Sequence, residues 1–213
     1  MLSDLFFEEI RSMAILLVRH GETAMNATRT IQWPDTPLSD RGQEQARRVG
    51  ERFSTAPIAQ ILVSDYERAS ATAEAIRKST DAPLEVWEGL RERHLGDLRG
   101  KAYEELDVDP FAEDYHPPNG ESWPQFHARV AKAWGDVLVR AASLDGDLVV
   151  VSHGLVIRSV CEEIVGYPPD ADPLVTVFLN TCVTVFDGPP WHIPLLACAA
   201  HLDDTLAVQG GAA

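Results

Sequence analysis

The chain has 213 residues, 45% hydrophobic and 24% charged, with a formal net charge of −15; it is long enough to bury one core without disulfides or metals, and its composition excludes a disordered or fibrous protein. So acidic a surface repels nucleic acid and anionic membranes, whose binding rests on clustered Lys and Arg, and any anionic substrate then depends on a local concentration of positive charge. Cys161, Cys182 and Cys198 are widely spaced among apolar neighbours without zinc-type pairing, which reads as the packed thiols of a reduced, cytoplasmic protein.

Residues 1–12 (MLSDLFFEEIRS) lack the basic start and long apolar run of a signal peptide. They read as a loose extension or, with Met13 next, as an alternative start. AILLV (14–18) is a continuous apolar run, the pattern of a strand covered on both faces, and it stops at Arg19-His20-Gly21. From Ser39 or Asp40, DRGQEQARRVGERF has apolar residues at helical spacing behind an acidic cap. AQILVS (59–64) is a second buried-type strand, and DYERASATAEAIRKS after it favours helix. LEVW after Pro83 supplies a third strand, and LRERHLGDLRGK reads as a loop. Pro110, Pro117, Pro118, Gly120 and Pro124 forbid an unbroken helix over 107–124, so a lid excursion over the site is expected at about 95–125. PQFHARVAKAWGDVLVRAASL restores helical spacing, DLVVVS (147–152) is a clear strand, and LVIRSVCEEIV a helix. TCVTVFDG and HIPLLACA read as a hairpin around Gly188-Pro189-Pro190, and 207–213 as a mobile tail. The alternation predicts a single α/β domain over residues 1–213. It is a three-layer α/β/α sandwich with a mostly parallel central sheet, a modest antiparallel addition and a lid after the third strand.

Two buried strands each run into a histidine followed by glycine, at Arg19-His20-Gly21 and Ser152-His153-Gly154. Ligands of open α/β sheets sit beyond the carboxyl ends of the strands, so neighbouring strands would project both imidazoles into one crevice. The helix starting near Gly154 would aim free amides there. Arg68, just after the second strand, and Arg19 supply guanidinium forks matched to phosphate oxygens. Three strand ends would then converge on one anion.

LVRHGETAMN (17–26), DTPLSDRGQEQA (35–46), SDYERASATA (64–73), LRERHLGDLRGK (90–101) and VVSHG (150–154) together resemble, in order and over residues 14 to about 198, the histidine phosphatase superfamily, the phosphoglycerate-mutase-like group. The resemblance implies His20 as phosphoacceptor, Arg19, Arg68 and His153 as holders of the phosphoryl oxygens, Asn26 in the same pocket and Glu92 as proton donor, with Asp97 and Glu121 as spare acids. Gln32 is a further substrate-binding candidate, although the chain reads Ile31-Gln32-Trp33 where family members often have Gln-Gly-Trp. Arg93, His94, Arg99 and Lys101 are either substrate contacts or a charged surface loop, and Trp123, Trp134 and Trp191 read as packing residues.

The chemistry expected is hydrolysis of a small-molecule phosphomonoester through a phosphohistidine. It needs no metal or cofactor, as no acidic or His/Cys cluster in the sequence would cradle one. Neither a nucleic-acid nor a membrane partner is expected, and a homodimer is left open. The alternatives are a phosphoglycerate mutase and a non-catalytic member that binds phospho-ligands. Against the mutase stands the segment from Ala102 to Ala128. It holds no Lys or Arg, but contains Glu104, Glu105, Asp107, Asp109, Glu113, Asp114 and Glu121. Such a lid suits a substrate whose non-phosphate end is neutral or cationic.

Overall fold

The computed structural model describes residues 13–207; the readings made for residues 1–12 and 208–213 lie outside them. Six strands form one sheet: β1 (Met13–Arg19), β2 (Ile58–Val63), β3 (Leu84–Val86), β4 (Asp147–Ser152), β5 (Val183–Gly188) and β6 (His192–Cys198), in the order β3-β2-β4-β1-β5-β6. β3, β2, β4 and β1 are parallel. β5 and β6 add the expected antiparallel hairpin.

Successive side chains on a strand point to opposite faces, and here both faces are apolar. Ile15, Leu17, Leu62, Leu148 and Val150 pack with α4 (Trp123–Ala141) and α5 (Gly154–Val160). Leu16, Val18, Ile61, Val63, Val149 and Val151 pack on the other face with α2 (Asp40–Phe53) and α3 (Glu67–Thr80). Burying such a side chain contributes about 1.5–3 kcal/mol, so the strands that carry the site are its most firmly held parts.

Helix ends follow local chemistry. Ser39 Oγ accepts from Gly42 N at the start of α2. Ser122 and Gln125 form a capping box on α4, with Pro124 in its first turn. α3 stops at Asp81, which adopts a left-handed conformation with φ 56°.

Three features depart from the sequence reading. A one-turn helix, α1 (Ala24–Ala27), follows the first histidine, closed by a reciprocal Thr23 and Asn26 cap that periodicity over so short a span does not reveal. The helix after β4 continues as a π-helical turn over Cys161–Val165. The loops after β3 contain single 3-10 turns at Glu88–Leu90, Gly96–Leu98 and Tyr103–Glu105.

Candidate active site

Strand register brings the catalytic candidates together. Arg19 lies opposite Ser152, and Val63 opposite Val151, so His20, His153 and Ser64 leave the same edge of the sheet. β4, late in sequence, sits between β1 and β2, which makes this edge a topological switch point. His20 N donates to Ser152 O at 2.9 Å, and the two imidazole centroids are 5.2 Å apart.

The loop after His20 is held by unusually close backbone packing. A Cβ on Gly42 would sit 1.9 Å from Glu22 O, and one on Gly21 2.6 Å from Gly42 O. Only glycine permits that approach. Gln45 Oε1 accepts from Glu22 N at 2.8 Å, Ser39 Oγ donates to the Glu22 carboxylate at 2.9 Å, and Arg41 pairs with it at 3.2 Å. Asn180 Nδ2 donates to His20 O at 2.9 Å.

Hydrogen-bond partners set the state of each imidazole. His20 Nδ1–H donates to Gly21 O at 2.7 Å, which leaves the Nε2 lone pair to accept from Arg68 Nε at 3.1 Å. Burial first, then the Arg68 and Arg19 cations, hold the His20 pKa well below the usual range, so the ring is neutral. His153 accepts from Arg68 Nη2 at Nδ1, 3.3 Å away, and donates from Nε2 to Ser64 Oγ at 2.9 Å. Its pKa is lowered by the same burial and by Arg68.

Arg68, in the first turn of α3, also donates to Trp33 O at 3.0 Å; burial pulls its guanidinium down to about 10. Arg19, at the end of β1, donates to Phe178 O, but its buried Nε–H has no hydrogen-bond partner. An orphaned buried donor costs about 1–3 kcal/mol unless a ligand satisfies it.

Both arginines and His20 line a pocket of about 50 Å³ together with Asn26, Gln32 and Glu92. Asn26 and Gln32 turn their amide oxygens to Thr23, whose Oγ1 donates to Gln32 Oε1 at 2.9 Å and whose N donates to Asn26 Oδ1 at 3.2 Å. Their remaining polar groups are NH2 donors. Without the glycine of Gln-Gly-Trp, Gln32 still lines the pocket, next to Ile31, whose N donates to Lys101 O and whose O accepts from Gly100 N. Glu92 accepts from Arg93 N at 2.9 Å and Leu155 N at 3.2 Å, and burial raises its pKa. Gly154 starts α5 and is buried; the residue from this turn that lines the pocket is Leu155.

The spare acids are elsewhere. Asp97 is exposed and accepts from Asn119, while Glu121 pairs with Arg129 at 2.7 Å. Arg93 is a clasp for the excursion after β3: it donates to Glu121 O, Pro110 O and Tyr115 O and stacks 3.8 Å over Trp123. Arg99 donates to Tyr66 Oη and lines the pocket. Sequence reasoning overlooked Ser64, Tyr66, Tyr103 and Asn180. Ser64 and Tyr66 stand inside SDYERASATA, so their position was visible although their roles were not.

The fold is thus that of an α/β protein whose mostly parallel sheet carries, at its carboxyl edge, a pocket lined by His20, Arg19 and Arg68 with His153 packed behind Arg68, a donor set that suits a compact oxyanion. Residues 15–197 match the model of the histidine phosphatase superfamily (branch 1), and the chain belongs to that superfamily, which includes phosphatases and mutases. It is 37% identical to phosphoglycerate mutase-like protein 4 of Arabidopsis thaliana, over 96% of this chain and 93% of the relative. It is 33% identical to the probable phosphoglycerate mutase GpmB of Enterobacter sp. (strain 638), over 90% and 95%. Among solved structures it resembles Bacillus stearothermophilus YhfR (TM-score 0.77, 30% identity, 90% of this chain and 100% of that one). It also resembles mycobacterial glucosyl-3-phosphoglycerate phosphatase Rv2419c (TM-score 0.74, 26%, 88% and 100%). No described helix is long and apolar enough to cross a membrane.

Proposed function

We propose that this protein hydrolyses small phosphomonoesters through a phosphohistidine on His20. The observation that carries the reading is the neutral His20 ring with its Nε2 lone pair turned to Arg68 in a pocket shared with Arg19 and Glu92. His20 Nε2 attacks phosphorus and the ester P–O bond breaks. Arg19 and Arg68, with the NH2 groups of Asn26 and Gln32, neutralise the oxygens on which charge resides. Glu92, whose pKa burial raises, gives its proton to the departing alkoxide. In the second step the Glu92 carboxylate takes a proton from water, the oxygen attacks phosphorus, the P–N bond breaks and inorganic phosphate leaves. His153 positions Arg68 in this scheme, its two ring nitrogens being taken by Arg68 and Ser64.

The relatives named as phosphoglycerate mutases favour a second reading, in which the phosphohistidine serves an anionic acceptor. The segment from Ala102 to Ala128 speaks against it, since it brings acids and no cation. The test is turnover of a phosphomonoester panel in chelator, with 3-phosphoglycerate and its bisphosphate primer included, comparing wild type with His20→Ala. Free phosphate, lost in the variant, supports hydrolysis. Formation of 2-phosphoglycerate supports the mutase, and loss of turnover in chelator counts against metal-free chemistry.

A further inference from the structure

Beside the catalytic pocket lies a hollow of about 630 Å³, bounded by the stretch around Phe111, the first turns of α4, and α5 with its π-helical extension. Phe111 and Leu155 line both spaces. The Leu155 amide also donates to Glu92, the group assigned to protonate the leaving oxygen. An alcohol released at Glu92 therefore has this hollow beside it. The catalytic pocket, at about 50 Å³, has room for little beyond the phosphoryl group, whereas the hollow falls in the range of sites for drug-sized organic molecules.

We propose that the hollow is the leaving-group subsite, and that it selects phosphomonoesters of bulky alcohols with an apolar ring and a cationic end. This rests on the hydrolase reading. Phe111, Trp123, Pro124 and Leu155 provide apolar wall. Among the described residues on the lining, the one Lys or Arg is Arg158, and it is already engaged: it pairs with Glu162 at 3.2 Å and donates to Pro173 O and Thr176 O. Glu113 and Glu163 are exposed on the rim and form no ion pair among the described residues. The hollow thus carries unmatched negative charge on the rim of an apolar wall, which suits an alcohol with an apolar body and a cationic end.

A second hollow, of about 640 Å³, is lined by Glu92 itself, but its acids are matched, Asp65 and Glu88 by Arg91 and Glu121 by Arg129, and its Arg99 bonds Tyr66 and His94 with no acid paired to it among the described residues, so it suits an anionic rather than a cationic group. Selection for a cationic end is therefore expected from the first hollow.

Phenyl phosphates with a para aminomethyl, hydroxymethyl or carboxylate group vary charge on one body. Wild type is expected to favour the aminomethyl over the carboxylate ester about tenfold in kcat/KM, each exposed carboxylate giving a factor of a few. Glu113→Gln with Glu163→Gln, both on exposed side chains, is expected to reduce that ratio to about twofold and leave the hydroxymethyl ester unchanged. A ratio unmoved in the double variant, or a wild-type preference for the carboxylate, overturns the subsite. So does a collapse of the ratio in Glu88→Gln instead, which would place the leaving group in the second hollow. Calorimetric binding of the three esters to His20→Ala protein separates the two readings. Charge-selective binding without phosphate release in wild type sinks hydrolysis and keeps the subsite. Release without charge preference does the reverse, and neither binding nor release removes both.

Discussion

Arg68→Met isolates the electrostatic core of the proposed reaction. The substitution deletes three hydrogen bonds, to His20 Nε2, His153 Nδ1 and Trp33 O. Trp33 O keeps a hydrogen bond from Thr36 N, so the loss falls on the buried ring nitrogens of His20 and His153, and a buried acceptor left unpaired costs about 1–3 kcal/mol. Against that, burial has lowered the guanidinium from its ordinary 12.5 to about 10, which at ~1.4 kcal/mol per decade is roughly 3 kcal/mol of penalty on the charged form that methionine relieves. The two nearly cancel, so the melting temperature is expected to change by only a few degrees. Turnover should respond quite differently, because a preorganised donor to the transferring group is lost, worth about 10²–10³ in kcat. The sign of the pH effect follows from charge. Arg68 disfavours the imidazolium of His20, so its removal raises the His20 pKa, and the acid-side fall in rate begins at higher pH. Phosphate release from p-nitrophenyl phosphate across pH, with thermal melts and an NMR titration of His20, reads all three quantities. Activity within tenfold of wild type, or an acid limb that stays in place, would refute the assignment.

Glu92→Gln is expected to lower kcat by about 10²–10⁴ and to flatten the alkaline limb of the rate profile, since no group remains to lose its proton there; rapid-quench detection of phosphohistidine checks that its breakdown slows too. Gly42→Ala must move the loop behind His20, and a loss of about 1–3 kcal/mol in a urea titration is expected from the 1.9 Å approach to Glu22 O. Folding stability should decline below about pH 6.5: His20 and His153 stay neutral when folded but bind protons when unfolded, so acid favours the unfolded chain, and denaturant melts at pH 5 and 7 measure the difference. Arg93→Met leaves the carbonyls of Pro110, Tyr115 and Glu121 without their shared donor; faster proteolysis over 105–121 with a raised KM is the expected signature.

The sheet was legible because its strands are covered on both faces, and AILLV, AQILVS and DLVVVS write that directly as continuous apolar runs. Strand order was not written anywhere in the chain. That β4 enters between β1 and β2 follows from long-range packing, and the convergence of His20 with His153 rests on that one placement. The charged side chains divide in the same way. Arg19 and His20 at the end of β1, and Arg68 just after β2, could be singled out by position. Arg93, in the same loop as Glu92, could not be told from a substrate contact, because its role depends on three carbonyls 17 to 28 residues further along. Asp97 and Glu121 stood behind Glu92 as spare acids. Only the neighbours separate them: Asn119 beside one, Arg129 beside the other, and for Glu92 two backbone amides and burial.

The fate of a phosphohistidine is a competition between water and any alcohol still in the site, and the charge around the leaving group biases it. A mutase must keep an anionic product in place long enough to receive the phosphoryl group again, which calls for cations beyond the catalytic pair. In this protein Arg19 and Arg68 are buried at the proposed phosphoryl position, Arg93 is tied to carbonyls, Arg158 to Glu162, and Arg99, on the pocket lining, to Tyr66 and His94. The space where a first product would wait is instead rimmed by Glu113 and Glu163. On the proposed reading an acid product is disfavoured there and water has the advantage at phosphorus, so concentrating positive charge on one tetrahedral group inside an acidic protein would also bias the intermediate toward hydrolysis.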